Sequence, residues 1–249
     1  MSILTKSVKS LASKSLLPLT ILSVGKGLIS AINNFKRPDG ELGSFSRPIP
    51  KYDSHIPTTL FQKATIAGAS SILAISEPTN GVHLAAVGDI TSIPFIKKLR
   101  DRMLLNEEGR RILKERPEVK FTDSEWNALG ALPKNTFGYN YYNYMVSQNI
   151  SWDTRTPVRF IDDSELAYVM LRHRQIHDFY HTVLGMTISI LDELTVKHFE
   201  FVQTGLPVGL FAVLVAPVRL DPAERTDFYT RCLPWVNDVG RNTKLLMNT

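Results

Sequence analysis

The sequence predicts a mostly α-helical fold, a single compact multi-helix domain preceded by a basic leader. Three observations carry this. Apolar residues recur at helical intervals through most of the chain, with capping residues before the runs and glycine or proline after them. Little alternation of period two suggests strands. A chain of 249 residues with 43% hydrophobic and 21% charged residues has the composition of one well-cored domain. Its lone cysteine, Cys232, excludes an internal disulfide or a multi-cysteine zinc framework.

Residues 1–38 hold Lys6, Lys9, Lys14, Lys26, Lys36 and Arg37 and no acid. Alternation of lysine with serine and aliphatic residues fits a mitochondrial transit peptide or an amphipathic leader that docks on the domain or a membrane. Removing those six charges from 29 basic residues leaves 23 against 24 acidic ones, so the remaining 211 residues carry a formal charge of −1. A near-neutral body lacks the basic footprint of a nucleic-acid-binding domain, and none is expected to bind. Residues 39–57 are rich in Pro, Gly and Ser and read as a linker, which puts the helical domain at 58–249.

Within that domain, Thr58 or Thr59 caps a helix through LFQKATIAGASSILAI, whose small residues permit close helix approach. Pro94 then opens a pattern with Ile96, Leu99, Met103 and Leu104, followed by EEGRRILKERP, which stops at Pro117. Thr122 or Asp123 with Glu125 starts a short helix. LPKNTFG turns the chain into a helix with Phe137, Tyr141, Tyr144 and Met145 near one side. The uncharged run 201–218 contains Pro207 and Pro217, which argue against a membrane span and for a buried helix of about ten residues. It can also line a lipid cavity or rest against a bilayer. No GxGxxG, GxxxxGK[ST] or GxSxG sequence supports nucleotide binding or serine hydrolysis.

The most informative stretch is residues 161–200. At about 100° per residue, Leu166, Met170, His173, His177, Tyr180, His181 and Leu184 share one stripe. His177 and His181 stand four apart and can grip one metal ion from successive turns. Asp178 lies on their flank, as a ligand or an acid/base group. Glu193 follows His181 after eleven intervening residues. In one straight helix it would lie roughly 18 Å further along the axis. A four-ligand site therefore requires the chain to reverse, and Gly185 is the natural place. Two nitrogens and two oxygens suit Zn²⁺, although Fe²⁺, Mn²⁺ or Co²⁺ also accept them. The pattern alone leaves two readings open, a metal site or histidines satisfied within a core. Tyr168 and Tyr180 are candidates for proton donors or packing groups, and Arg172 and Arg174 for carboxylate receptors or solubilising charges. His198 reads as an exterior or outer-sphere residue, and Cys232 as a packed, inert thiol.

HDFYH, followed after eleven intervening residues by Glu193, closely resembles the HDxxHx11E zinc motif of the mitochondrial coenzyme Q (ubiquinone) biosynthesis family of complex-organising proteins. The resemblance extends to PTTLFQKA, LRDRMLLNEEGRRILKERP, LPKNTFG, DTRTPVRFIDDSELAYVMLRHRQIHDFYHTVLG and KHFEFVQTGLP, over about residues 53–249. It implies a Zn²⁺ site at His177, Asp178, His181 and Glu193. It also implies peripheral attachment to the matrix side of the mitochondrial inner membrane, association with other coenzyme Q biosynthesis enzymes, and contact with polyprenylated benzoate and phenol lipids. The activity implied is a lyase reaction, C1-decarboxylation of 4-hydroxy-3-methoxy-5-polyprenylbenzoate to 2-methoxy-6-polyprenylphenol, with Asp178 or a metal-bound water as candidate proton donor. The alternative is a non-catalytic, lipid-binding scaffold of the biosynthetic complex.

Overall fold

A computed structural model of the chain describes residues 48–77 and 80–249. The leader, 1–38, and the first part of the linker lie outside the described residues. From Tyr52 the backbone already packs on the body, within the stretch read as linker. Tyr52 Oη donates to the Ile161 carbonyl at 2.7 Å, Ser54 Oγ to that of Val158 at 2.6 Å, and the Ile56 amide to that of Arg159 at 2.8 Å.

Helices make up the regular structure of the described residues. Helix α1, Leu60–Ser76, begins with a capping box in which Thr59 and Gln62 exchange backbone and side-chain bonds. Helix α2 spans Gly81–Leu104 and starts thirteen residues before Pro94, where the sequence pattern was expected to open. Asn80 caps it, and Ala85, Ala86 and the contact with α1 outweigh the bond that Pro94 cannot make. Helices α3 (Glu107–Glu115), α4 (Asp123–Gly130) and α5 (Phe137–Ser147) follow where their caps place them. Arg116 ends α3 with φ 51°, just ahead of Pro117.

Helices α6 (Ser164–Gln175) and α7 (His177–Leu184) are nearly continuous, with a bend at Ile176. Helix α8, Ile190–Thr204, runs beside α7 after a turn. Helices α9 (Pro207–Val215), α10 (Pro222–Asp227) and α11 (Leu233–Asn242) complete the order. The main core gathers Ile96, Leu99 and Met103 of α2, Val169 and Met170 of α6, Tyr180 of α7, and Val196 and Phe199 of α8. Each such buried side chain stabilises the fold by roughly 1.5–3 kcal/mol.

Helix α9 corrects one expectation. It is not buried all round. Val208, Gly209 and Val213 face inward, whereas Phe211, Leu214 and the following Val218 are exposed at 46%, 69% and 74%. The apolar run covers only one side of the helix with protein. Its inner side fits because Gly209 approaches α8 so closely that a Cβ there would stand 2.3 Å from the Lys197 carbonyl oxygen. A second small core of Leu194, Val213, Leu220, Phe228 and Cys232 seals this end, and the Cys232 thiol is buried in it.

Candidate metal centre

The bend at Ile176 restarts the helix at His177, so His177 and His181 point the same way from successive turns. Gly185 then adopts φ 65° and ends α7, a left-handed conformation that glycine takes without the Cβ penalty. Thr187 donates to Asp192 through its amide and hydroxyl at 2.8 and 2.6 Å, while Ser189 caps α8 by accepting from the Asp192 amide. The turn brings Glu193, in the first turn of α8, back against the two histidines.

His177 Nε2 and His181 Nε2 are 3.3 Å apart. Glu193 places one carboxylate oxygen 3.3 Å from His177 Nε2 and the other 2.9 Å from His181 Nε2. Donor atoms around a tetrahedral Zn²⁺ with bonds of 2.0–2.1 Å are separated by about 3.3 Å. The donor set and its spacing therefore fit a metal ion. His177, His181 and Glu193 form this trio, the only such group among the described residues.

Asp178, the fourth motif residue, lies elsewhere. It is 3% exposed and its carboxylate accepts from the Arg155 guanidinium. His173, one turn before His177, is buried, and that burial pulls its imidazole down to about 4 against the opposing charge of Glu200 and keeps it neutral. His198 is buried rather than exterior and bonds Asn237 of α11 at 3.2 Å. Tyr168 donates to the Pro117 carbonyl, and Tyr180 packs on Phe199. Arg172 is engaged by the Met247 and Thr249 carbonyls, and Arg174 by Asp89 and three carbonyls. Both arginines hold the fold.

Sequence reasoning missed Glu200, Lys197, Arg155 and Tyr144. Glu200 is 1% exposed and accepts a hydrogen bond from His177 Nδ1 at 2.9 Å. That bond leaves Nε2 as the nitrogen facing the trio, the arrangement by which an outer carboxylate orients a metal-binding histidine. Lys197 donates to Glu200 at 3.1 Å and lies 3.8 Å from Glu193. Burial opposes ionisation of Glu200, but Lys197, His177 and His173 outweigh it and hold the carboxyl far below the usual range. Glu193 is held low in the same way by His177, His181 and Lys197. A signal was present: Glu193, Lys197 and Glu200 stand at i, i+4 and i+7, one charged stripe on a helix otherwise buried.

For His177, burial and Lys197 oppose protonation, and Glu200 and Glu193 overcome them, raising it to about 8. The proton-bound form is thus favoured below about pH 8, and a metal ion must displace that proton. Metal affinity is expected to weaken as pH falls through 8, with close to one proton released per ion at pH 7. Titration calorimetry in buffers of different ionisation enthalpy measures this, and a release independent of pH between 6 and 9 would refute it.

Glu193, the carboxylate of the trio, lines a cavity of about 480 Å³. Ile75, Leu84, Val87, Ile190, Leu194 and Phe211 line it, and Glu193 and Lys197 supply charge at its wall. Asn80 and Arg219 add polar groups to a lining that is otherwise mostly apolar.

Residues 52–249 match the model of the family described as coenzyme Q (ubiquinone) biosynthesis protein Coq4. The chain belongs to the Coq4 family. The mitochondrial ubiquinone biosynthesis protein COQ4 of Laccaria bicolor is 40% identical to it over 201 residues, 81% of this chain and 68% of that protein. The corresponding protein of Aspergillus clavatus is 38% identical over 249 residues, 100% of this chain and 83% of the relative. Among solved structures, a putative ubiquinone biosynthesis protein of Nostoc punctiforme superimposes with a TM-score of 0.58 at 19% identity, covering 75% of this chain and 88% of the other. That likeness is one of fold. Membership in the Coq4 family places the chain in ubiquinone biosynthesis.

Proposed function

We propose that this Coq4-family chain is a metal-dependent lyase that removes the C1 carboxylate of 4-hydroxy-3-methoxy-5-polyprenylbenzoate to give 2-methoxy-6-polyprenylphenol, and that it also organises the ubiquinone biosynthetic complex. The observation that carries this reading is a two-histidine, one-carboxylate trio whose carboxylate, Glu193, lines a largely apolar cavity. Such a space suits an amphiphile with a polar ring and an isoprenoid tail. We take the metal as Zn²⁺, held by His177, His181 and Glu193. When bound there it supplies Lewis acidity toward a substrate oxygen.

The rest falls to the chain's own groups. Glu200 orients His177, and the apolar wall shields the ring from water. As the bond from C1 to the carboxylate breaks, its electron pair stays on the ring and CO₂ leaves. A proton must then reach C1, and Asp178 remains our candidate donor, on condition that its pairing with Arg155 opens. We place the protein at the matrix side of the mitochondrial inner membrane, peripherally, in company with other coenzyme Q biosynthesis enzymes. Two observations support a peripheral site. No helix among the described residues is long and apolar enough to cross a membrane, and α9 exposes Phe211 and Leu214.

Metal-loaded protein is expected to convert the prenylated benzoate, presented in vesicles, to the phenol detected by mass spectrometry. His177→Ala is expected to reduce product to the protein-free level while helical circular dichroism persists. A wild-type preparation that holds its metal, binds the lipid and forms no phenol would support the scaffold instead.

A further inference from the structure

Tyr144, on α5, stacks nearly parallel on His181, with ring centroids 5.5 Å apart and planes at 16°. Its phenol oxygen is shut off from solvent and has no hydrogen-bond partner. Yet it lies close enough to Asp178, Glu193 and Arg155 to feel their charges. Arg155 repeats the situation. Its Nη2 goes to Asp178, while its Nε–H is buried without an acceptor.

Leaving a buried polar group unpaired is unfavourable, and phenylalanine would keep the stack on His181 without that cost. A hydroxyl retained there calls for a partner that enters from outside the chain. Arg155 Nε–H can only donate, and Tyr144 has carboxylates around it that offer it no proton. The missing partner is therefore an acceptor.

We propose that Tyr144 is a ligand-binding residue of the metal centre, its O–H donating to an oxygen of a carboxylate or phenolate held at the His177–His181–Glu193 trio, with Arg155 Nε–H as a second donor. This rests on the metal-centre reading, but not on decarboxylation. It makes the residue a determinant of ligand class at the trio, since a purely hydrocarbon ligand gains nothing from it.

The test uses full-length protein loaded with Co²⁺, whose visible absorption reports ligands joining the ion, titrated with 4-hydroxy-3-methoxybenzoate. Tyr144→Phe is expected to bind this probe roughly tenfold to a hundredfold more weakly, the range for a hydrogen bond to a charged group. Co²⁺ content should stay the same, and Tm should hold or rise, because the unpaired hydroxyl is gone. A purely structural tyrosine predicts the opposite, a lower Tm and reduced metal content with unchanged probe affinity in the loaded fraction. Equal affinities in the two proteins, or no probe binding by wild type, would overturn the proposal. Turnover of the prenylated substrate at equal rates by both would overturn it and leave the decarboxylase reading standing. Tyr144-dependent probe binding without product formation would do the reverse.

Discussion

Glu200→Ala is expected to lose roughly 10- to 100-fold in metal affinity, the usual effect of removing the outer partner of a metal-binding histidine. The reason is geometric. His177 Nδ1 has Glu200 as its carboxylate acceptor at 2.9 Å, and without it the ring is free to turn its other nitrogen away from the trio. The same change takes from Lys197, whose side chain is only 14% exposed, its nearer carboxylate and leaves Glu193 at 3.8 Å, so a stability loss on the order of 1–3 kcal/mol is also expected. Glu200→Gln keeps an acceptor for His177 without the charge, and should fall between wild type and alanine in affinity. Competition with a chromophoric chelator measures affinity, and denaturant titration measures stability. Metal affinity within twofold of wild type in the alanine variant would sink the assignment. The stability part has a definite pH window. Because Glu200 ionises more readily in the fold than its ordinary value of 4.5, its contribution is complete above that value and is lost as the pH drops below it.

Asp89→Ala is expected to destabilise the protein by about 3–5 kcal/mol, with a fall in Tm on the order of 10 °C. Asp89 is 1% exposed on α2. It accepts from Arg174 of α6 at 2.6 Å and from the amides of Arg159 and Phe160 at 2.8 and 3.3 Å. Removing it leaves a buried guanidinium held only by carbonyls, without its counter-charge, and two amides without their acceptor. Burial itself raises the Asp89 carboxyl and lowers the Arg174 guanidinium, so the ions are costly where they stand. Replacing both residues with apolar side chains should therefore lose less than Asp89→Ala alone. Urea unfolding of the two variants checks this, and a single-variant loss under about 1 kcal/mol would contradict the role given to the pair. Since Arg174 lies three residues before His177, this clamp also fixes the bend from which the metal-centre helix starts.

The centre was legible in part, for reasons that differ from residue to residue. His177 and His181 stand out because two imidazoles four apart on an apolar stripe need a partner wherever they go. The reversal at Gly185 follows from distance alone, since Glu193 could not reach the histidines along one helix. Glu200 was hidden because its partner is 23 residues away, and a lone carboxylate in an apolar helix looks the same whether it faces water or a histidine. Asp178 shows the converse. It is adjacent to His177 in sequence, but a helix turns about 100° per residue, which carries its carboxylate to Arg155, a partner only the tertiary fold supplies.

At the level of helices, caps were more informative than breakers. Thr59, Thr122 and Gly185 mark their termini in the sequence and in the structure. Pro94 marks none, because packing against α1 carries α2 through it. For α9 the composition of the 201–218 run conveyed apolarity but not what covers it. That depends on Gly209, whose missing side chain decides which face meets α8.

The turn between α7 and α8 leaves eleven residues between His181 and Glu193. An ion gripping both ends closes that stretch into a small ring of chain. Closing a ring restricts the unfolded chain far more than the folded one, so the ion acts on the hairpin as a staple does. The segment inside the ring is also fastened by Thr187, Ser189 and Asp192, which bond one another at an exposed corner, and by Leu184 and Met186 packed on the main core. An ion bound there would thus fasten the hairpin that presents its own ligands, and its removal would be expected to loosen that hairpin.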